Sequence, residues 1–310
     1  MPISIGCAVW SYPGWIGEIY PPKTPSREFL RIYSHHFPAV EGNTTFYATP
    51  DRATIDRWIA QTPTEFKFCL KFPRTITHSG LLMPQIVPAQ AFITQMQELE
   101  QRLGVMFIQL PPHYAPDARG LADLTAFLTA LPRQVALAVE VRHLDWFKSP
   151  HREQLTELLF RLGVGRVILD SRPIYEADPE WGSVIECKKP RVPIELSLTA
   201  PFSLIRYVSH PIQSANQVWL DGWTSQIQAW LAQDAQIYMF VHCPIEARSL
   251  INARYLHHIF TRSGIALNPL PLQPNADLPV QLNLFYSTFQ LYGVHKHCWK
   301  TDLAKVSCTS

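Results

Sequence analysis

Residues 136–142 read A-L-A-V-E-V-R, and the fold can be worked out from this segment. Its length, its valines and its alternation of side-chain types are typical of a β-strand. Successive side chains of a strand point to opposite faces. If Leu137, Val139 and Val141 pack against helices, then Glu140 and Arg142 share the other face. A strand with an apolar outer face and charged inner groups near its carboxyl end is typical of an α/β barrel.

Seven other segments have the same length and β-rich composition, and most are separated by enough residues for one helix and two turns. Strands that alternate with helices in this way pair in parallel, and eight such units close a barrel. The sequence therefore predicts a (β/α)₈ TIM-type barrel over residues 1–264, followed by a Pro-rich linker and tail over residues 265–310. The predicted strands besides 136–142 are Ser4–Trp10, Val40–Phe46, Phe66–Phe72, Val105–Leu110, Arg166–Asp170, Phe202–Val208 and Ile237–His242.

Several helices have recognisable start and stop signals. Ser26 is the predicted N-cap of a helix over Arg27–Phe37. The T-P-D sequence that ends at Asp51 opens another helix, which we expect to end near Gln61. Gly163 is placed as the C-cap of the helix in the fifth unit. The sixth unit departs from this pattern, because its long Pro-containing connection has no clear helix and is expected to lie irregularly over the carboxyl end.

The amino-acid composition limits the partners and the cellular compartment that we expect for this protein. The 310-residue chain is 47% hydrophobic and 17% charged, with a net charge of +2, so no global field points to a nucleic acid or membrane partner. Its six cysteines are scattered without a C-x-x-C pair, and Cys7, Cys69 and Cys243 fall in apolar runs typical of a buried core. The sequence has no secretory signal and no apolar run near the ~20 residues that a membrane helix needs. We expect a cytoplasmic protein without a membrane partner.

Applying the same alternation to every strand predicts a ring of polar side chains at the carboxyl ends, where barrel enzymes keep their active sites. Two explanations are open: a network of ion pairs that neutralises itself, or a ligand pocket. Two arginines and a lysine converging on one cavity favour a pocket for carboxylate or phosphate. The predicted ring contains Glu41, Asn43, Lys71, Gln109, Glu140, Arg142, Asp170, Arg206 and His242.

Roles within the ring follow from residue chemistry. Glu140 and Glu41 are the predicted general acid or base, with His78 or His143 as proton partner. We expect the anion to be bound by Arg142, Arg206 and Lys71, assisted by Gln109, Asn43 and Asp170. The ring has one histidine, His242, and no compact His-carboxylate cluster, so neither a metal nor another cofactor is expected.

The first βα loop, W-S-Y-P-G-W, is rich in aromatic side chains. Trp10, Tyr12 and Trp15 lie within six positions of one another, and their faces could stack on a base or a sugar. The alternative is that they pack this Pro- and Gly-containing loop onto the rim of the barrel.

Several of these motifs resemble the domain of unknown function 72 family, the YecE-like proteins. The matching stretches include V-W-S-Y-P-G-W, V-E-G-N-T-T-F-Y-A-T-P and V-E-V-R-H-L-D-W-F. The resemblance implies a TIM-like barrel whose activity is not established. Strand eight departs from the family, because F-V-H-C-P stands where many relatives have F-N-N. The family's recurrent polar positions correspond here to Glu41, Asn43, Lys71, His78, Gln109, Glu140, Arg142 and His143.

The tail contains a second motif, Q-L-N-L-F at residues 281–285. Gln281, Leu282, Leu284 and Phe285 resemble the pentapeptide by which bacterial proteins bind the replication sliding clamp, although Asn283 replaces the usual Ser or Asp. A docking peptide after an extended linker is one interpretation. The other is a segment that packs back on the barrel.

Together these features predict an enzyme without a strong metal requirement, a hydrolase or lyase for an anionic substrate that contains phosphate or a nucleotide. Analogy with barrel endonucleases favours DNA and a role in its maintenance. The alternative is a non-catalytic module that binds a ligand or nucleic acid and docks on a partner through its tail.

Overall fold

The computed structural model describes residues 2–177 and 189–270 of the chain. Its eight strands all pair in parallel, in the order β1-β8-β7-β6-β5-β4-β3-β2, and form a nearly closed barrel with helices between them. The predicted (β/α)₈ fold is confirmed. The strands are β1 Ile3–Cys7, β2 Ala39–Gly42, β3 Lys67–Lys71, β4 Leu103–Gln109, β5 Leu137–Glu140, β6 Gly165–Asp170, β7 Phe202–Val208 and β8 Gln236–His242.

Four strands are shorter than predicted: β3 and β5 lose residues at both ends, and β1 and β2 end early. β1 ends three residues before Trp10, and β2 ends at Gly42, after which Asn43–Phe46 forms a 3₁₀ turn. Extending these strands to Trp10 and Phe46 was therefore wrong. The Thr45 hydroxyl stabilises the turn, since it lies 2.9 Å from the Gly42 carbonyl oxygen and 2.6 Å from that of Lys71.

Nine helices occur within the described ranges. Their bounds are α1 Phe29–His36, α2 Arg52–Gln61, α3 Arg74–Thr77, α4 Ile86–Met96, α5 Ala118–Ala130, α6 His151–Leu162, α7 Arg172–Tyr175, α8 Gln217–Leu231 and α9 Glu246–Arg262. The single-turn α7 is the one helix that the described residues contain between β6 and β7, which agrees with an irregular sixth unit.

The helix signals are mostly confirmed. The Asp51 carboxylate accepts the Thr54 N–H at 2.9 Å and caps α2, which ends at Gln61 as predicted. Gly163 adopts a φ of 63° after α6, a conformation that glycine adopts without the steric penalty of a Cβ. Ser26 is not an N-cap, because it begins a 3₁₀ turn without a capping hydrogen bond and the α-helix starts three residues later.

Alternation along the strands divides the buried side chains into two cores. Outward-facing residues such as Leu70, Ile108 and Val139 pack against the helices. Inside the barrel, the lower part is an apolar layer, defined here by its buried members. They are Ala39, Cys69, Val105, Phe107, Ala138, Val167, Leu204, Tyr238 and Phe240.

β1 and β2 meet at a seam that a side chain bridges. The Tyr33 hydroxyl accepts the Cys7 N–H at 2.7 Å and donates to the Ala39 carbonyl at 3.1 Å. At Gly6 a Cβ would lie 2.0 Å from the Ala39 oxygen, so this close approach requires glycine. Buried Tyr33 thus links two strands where the barrel is nearly closed.

None of the helices in the described part of the chain is long and apolar enough to cross a membrane. Cys7, Cys69 and Cys243 are buried free thiols, as predicted. The predicted docking residues Gln281, Leu282, Leu284 and Phe285 lie outside the described residues, so the tail hypothesis stays a prediction.

Candidate functional site

A layer of polar side chains lies directly above the apolar layer, at the carboxyl ends of the strands. Each member lies on the interior face of its strand at or near the carboxyl end, because alternation brings every second residue inside. All are buried. This polar layer consists of Glu41, Lys71, Gln109, Glu140, Arg206 and His242.

Arg206 lies at the centre of the polar layer and joins both glutamates. Its Nε and Nη2 donate to the two oxygens of Glu41 at 2.9 and 2.8 Å, and its Nη1 donates to Glu140 at 2.6 Å. The guanidinium lies above the Phe107 ring of the apolar layer, 5.5 Å from its centroid. Glu41 is satisfied further by His242, whose Nε2 lies 3.0 Å from Oε2.

Arg142, just beyond β5, is the second arginine of the site. Its Nε donates to Glu140 at 2.6 Å, and its Nη2 donates to the Gln109 side-chain oxygen at 2.6 Å. Within the described ranges its Nη1 has no hydrogen-bond partner. The side chain is 16% exposed. Arg142 is therefore anchored on two sides, and its Nη1 is a donor without a partner among the described residues.

The two glutamates are held as carboxylates. Burial by itself raises the pKa of Glu41, but the charge of Arg206 and the hydrogen bonds from Arg206 and His242 outweigh it and bring the pKa well below its usual value. Burial also raises the pKa of Glu140. Three neighbouring cations, of which Arg206 has the largest effect, outweigh burial and lower the pKa to about 2. Burial also lowers the pKa of His242 to about 4 despite the attraction of Glu41, so this imidazole is neutral.

Lys71 is the cation of the polar layer that has no anionic partner among the described residues. It is 6% exposed, and its Nζ lies 3.6 Å from the centroid of the Phe46 ring. Burial lowers the pKa of Lys71, repulsion from Arg206 adds to this, and Glu140 and Glu41 offset it only in part. The resulting pKa is about 7. This lysine can therefore bind or release a proton near neutral pH.

His78 also contacts Phe46, in an edge-on arrangement with the ring centroids 5.1 Å apart. Its Nδ1 is 2.8 Å from the Thr77 hydroxyl. Burial lowers the pKa of His78 to about 4, with the charges of Lys71 and Arg142 acting in the same direction. A neutral imidazole therefore stands beside the unpaired lysine.

Asn43 also reaches the site, although not as a strand residue. Its amide donates to Glu41 at 2.7 Å and to the Ala8 carbonyl at 3.1 Å from the first position of the 3₁₀ turn. The prediction that Asn43 neighbours Glu41 is right, while the extended backbone assumed for it is wrong. Phe46, from the same turn, was missed, because an apolar residue carried no signal for contact with a cation.

Asp170 was wrongly placed in the ring. The interior residues of β6 are Val167 and its alternates, so Asp170 points toward the helices. Its carboxylate accepts the indole N–H of Trp223 at 2.7 Å and pairs with Arg172 at 2.8 Å. Reaching the strand end is not enough to enter the barrel, because the register also has to match.

The aromatic residues of the first loop pack on the protein. Trp15 is fully buried, and its ring stacks against that of Tyr33 with centroids 6.3 Å apart. Trp10 meets Trp58 of α2 edge-on at 5.6 Å, on the outer side of the barrel. Tyr12 lies 5.7 Å from Trp15. Packing of the loop thus accounts for these rings, and buried Trp15 offers no face to a ligand.

His143 lies next to Arg142 in sequence but turns away from the polar layer. Its Nδ1 accepts the Asp145 N–H at 3.2 Å at the start of the 3₁₀ turn Leu144–Phe147. Within the described residues it has no hydrogen bond or ion pair with the polar layer. The same residues contain no group of three or more His, Cys, Asp or Glu side chains that could hold a metal ion.

The fold and the site define a class: an α/β barrel with an ion-paired polar layer at its carboxyl end. The family model for the protein of unknown function DUF72 matches residues 4–275. The chain belongs to this family.

The relatives support the same assignment. UPF0759 protein YecE of Escherichia coli (strain K12) is 38% identical over 245 residues, which are 78% of this chain and 86% of YecE. UPF0759 protein YunF of Bacillus subtilis (strain 168) is 29% identical over 180 residues, which are 56% of this chain and 62% of YunF.

Solved structures agree with the fold. A DUF72 family protein from Enterococcus faecalis V583 superposes with a TM-score of 0.66 at 15% identity, covering 87% of this chain and 98% of that one. Another from Thermotoga maritima MSB8 gives 0.63 at 20% identity, covering 84% and 98%. At these low identities the structural similarity supports the barrel fold alone.

Proposed function

We propose that the carboxyl end of the barrel is the active site of an acid–base enzyme that acts on an anionic, phosphate-containing substrate. The observation that carries this proposal is Lys71. It is a buried cation without an anionic partner among the described residues, and its pKa is about 7. Uncompensated buried charges are costly and strongly perturbed groups concentrate at functional sites.

The charges of the site favour an anion. Arg206 and Arg142 balance the two ionised glutamates, so a protonated Lys71 leaves one positive charge in excess. The ammonium of Lys71 and the Nη1 of Arg142 are donors without a hydrogen-bond partner among the described residues, and a phosphate oxygen suits both. Binding of an anion would in turn raise the pKa of Lys71 and keep it protonated.

The two glutamates serve this site by positioning its cations. Both oxygens of Glu41 and of Glu140 are already engaged by donors. We therefore assign Glu41 and Glu140 to holding Arg206 and Arg142 in place, instead of the proton transfer that the sequence suggested.

Proton transfer is assigned to Lys71 and His78. In hydrolysis of a phosphate ester, water attacks phosphorus and gives its proton to the neutral His78, while the P–O bond to the leaving group breaks. The leaving oxygen takes a proton from the ammonium of Lys71. Positioned acid–base groups of this kind contribute typically 10²–10⁴-fold to rate.

The test compares two lysines at opposite ends of β3. Lys71→Met removes the unpaired cation, and Lys67→Met at the amino end serves as the matched control. Inorganic phosphate should raise the unfolding temperature of the wild type and of Lys67→Met by about 2–4 °C, and that of Lys71→Met by none. Release of phosphate from phosphate esters should fall about 100-fold or more in Lys71→Met alone. No phosphate effect in the wild type would contradict the proposal.

A second candidate is a module that binds the anion without turning it over. The saturation of both glutamates favours it, since the polar layer then offers no free carboxylate base among the described residues. This candidate predicts the same phosphate stabilisation and its loss in Lys71→Met, but no turnover in the wild type. The tail, which would carry such a module to a sliding clamp, stays a proposal on sequence grounds.

A further inference from the structure

Two aromatic side chains among the described residues are exposed to solvent. Tyr47 is 82% exposed and Phe160 is 72% exposed. Phe160 lies near the end of α6, which is the amino-terminal side of the barrel, because the helices run antiparallel to the strands. Tyr47 lies between β2 and α2, at the carboxyl end. Single exposed aromatic residues are common on protein surfaces, so what matters is where each one lies relative to the site.

Tyr47 and the unpaired Lys71 contact the same aromatic ring, that of Phe46. The Tyr47 ring meets that of Phe46 edge-on, with centroids 5.3 Å apart and an interplanar angle of 85°. The Lys71 ammonium lies 3.6 Å from the centroid of the same Phe46 ring. The 3₁₀ turn Asn43–Phe46 that carries Phe46 is tied to β3 by the Thr45 hydroxyl. An exposed aromatic ring is therefore fixed beside the cationic part of the site.

We propose that Tyr47 stacks on a nucleobase and makes the site selective for nucleoside phosphates over other phosphates. This inference rests on the anion site proposed above and names its substrate class. A phosphate held by Lys71 and Arg142 would leave the rest of the molecule to extend toward the rim. There Tyr47 offers the exposed aromatic ring that the buried Trp15 does not.

The residue type and its exposure favour a base. Stacking of a base on an aromatic side chain is sequence-tolerant and contributes enough to change affinity about tenfold. A sugar phosphate without a base has no ring to place on Tyr47. Selectivity between two ligands that differ only in the base therefore measures the contact directly.

The experiment uses three probes of increasing size: inorganic phosphate, ribose 5-phosphate and adenosine 5′-monophosphate. Affinities are measured by calorimetry for the wild type, Tyr47→Leu and Tyr47→Phe. Phe160→Leu is the matched control, since among the described residues it removes the other exposed aromatic ring, on the far side of the barrel. The wild type, Tyr47→Phe and Phe160→Leu should bind the nucleotide about tenfold more tightly than ribose 5-phosphate. Tyr47→Leu should bind the two equally, and phosphate should bind all four proteins alike.

Two results overturn the inference and leave the anion site intact: no preference for the nucleotide in the wild type, or a preference that survives in Tyr47→Leu. Loss of phosphate binding in Tyr47→Leu would also overturn it, because Tyr47 would then support the anion site instead of stacking. If the wild type binds none of the three probes, the proposed function fails together with the inference.

Discussion

The apolar layer and the polar layer occupy the same barrel interior and are built by the same alternation, but they differ in what they do for the fold. In the apolar layer, Leu204 and Phe107 fill space and bury hydrocarbon. Two residues after Leu204 on β7, the next interior position is Arg206, which binds two glutamates. A hydrophobic core could have continued here, since buried ion pairs are often no more stable than well-packed apolar groups.

This contrast between the two layers indicates which part of the barrel interior serves function. Burial of the apolar layer stabilises the fold. Burial of the charges in the polar layer costs part of that stability, and in return the charges are held in a fixed arrangement. Within that layer the charges of Glu41, Glu140, Arg142 and Arg206 balance, while Lys71 is left over among the described residues. Lys71 is not needed to balance the charges of this network, and it is therefore the residue on which the proposed function rests.

The largest effect is expected for Arg206→Met, which removes the shared partner of both glutamates. Two buried carboxylates would then face each other, and we expect the free energy of unfolding to fall by about 3–5 kcal/mol. In the wild type the pKa of Glu140 is lowered to about 2 from 4.5, so its stabilising contribution is present above pH 4.5 and is lost as pH falls toward 2. The destabilisation of Arg206→Met should therefore shrink at acid pH.

Chemical denaturation of both proteins at pH 7 and at pH 3.5 measures this change. Equal destabilisation at the two pH values would mean that packing around Arg206, and not its charge, matters to the fold.

Leu204→Ala probes the apolar layer on the same strand. We expect a loss of about 3 kcal/mol in the free energy of unfolding, caused by a cavity in a close-packed interior. Unlike the loss in Arg206→Met, this one should be independent of pH between 3.5 and 7. Phosphate should still stabilise the variant, and failure to do so would mean that the two layers are not separable.

Lys71→Met should have the smallest effect, and of opposite sign. Below pH 7 the folded wild type carries a buried ammonium, so the variant should be more stable by about 2 kcal/mol at pH 6. The pKa is about 7 in the folded protein and 10.5 ordinarily, so the unfolded chain binds more protons between these values. Wild-type stability should rise with pH over that window relative to the variant, and the advantage of Lys71→Met should disappear within the window.

Parallel unfolding curves of wild type and Lys71→Met from pH 6 to 10 check this. A variant that is less stable than the wild type at pH 6 would show that Lys71 is compensated in the native protein.

The fold and most of the site could be predicted from the sequence because strand alternation is local information. It brought Lys71, Gln109 and Glu140 to one place from three distant segments. Asp170 failed because the interior register of β6 is set by its neighbours in the sheet and cannot be read from the strand's last residue.

Other parts of the site depend on packing that the sequence does not display. Burial of Trp15 in the core reverses what the aromatic content of the first loop suggested, and nothing in the sequence indicated that Tyr47 is exposed at the rim. The 3₁₀ turn after β2 moves Phe46 onto Lys71, although N-T-T-F reads as a continuing strand. Pairing of both glutamates with Arg206 likewise appears only when strands β2, β5 and β7 are brought together.

Measuring the pKa of Lys71 tests most directly whether this lysine is an uncompensated cation that binds an anion. Side-chain NMR of lysine-labelled protein, with Lys71→Arg used to assign its signal, measures the titration with and without phosphate. We expect the titration of Lys71 to have its midpoint at about pH 7 in the free protein and at a clearly higher pH when phosphate is present. A midpoint at the ordinary value of 10.5, unchanged by phosphate, would contradict this expectation.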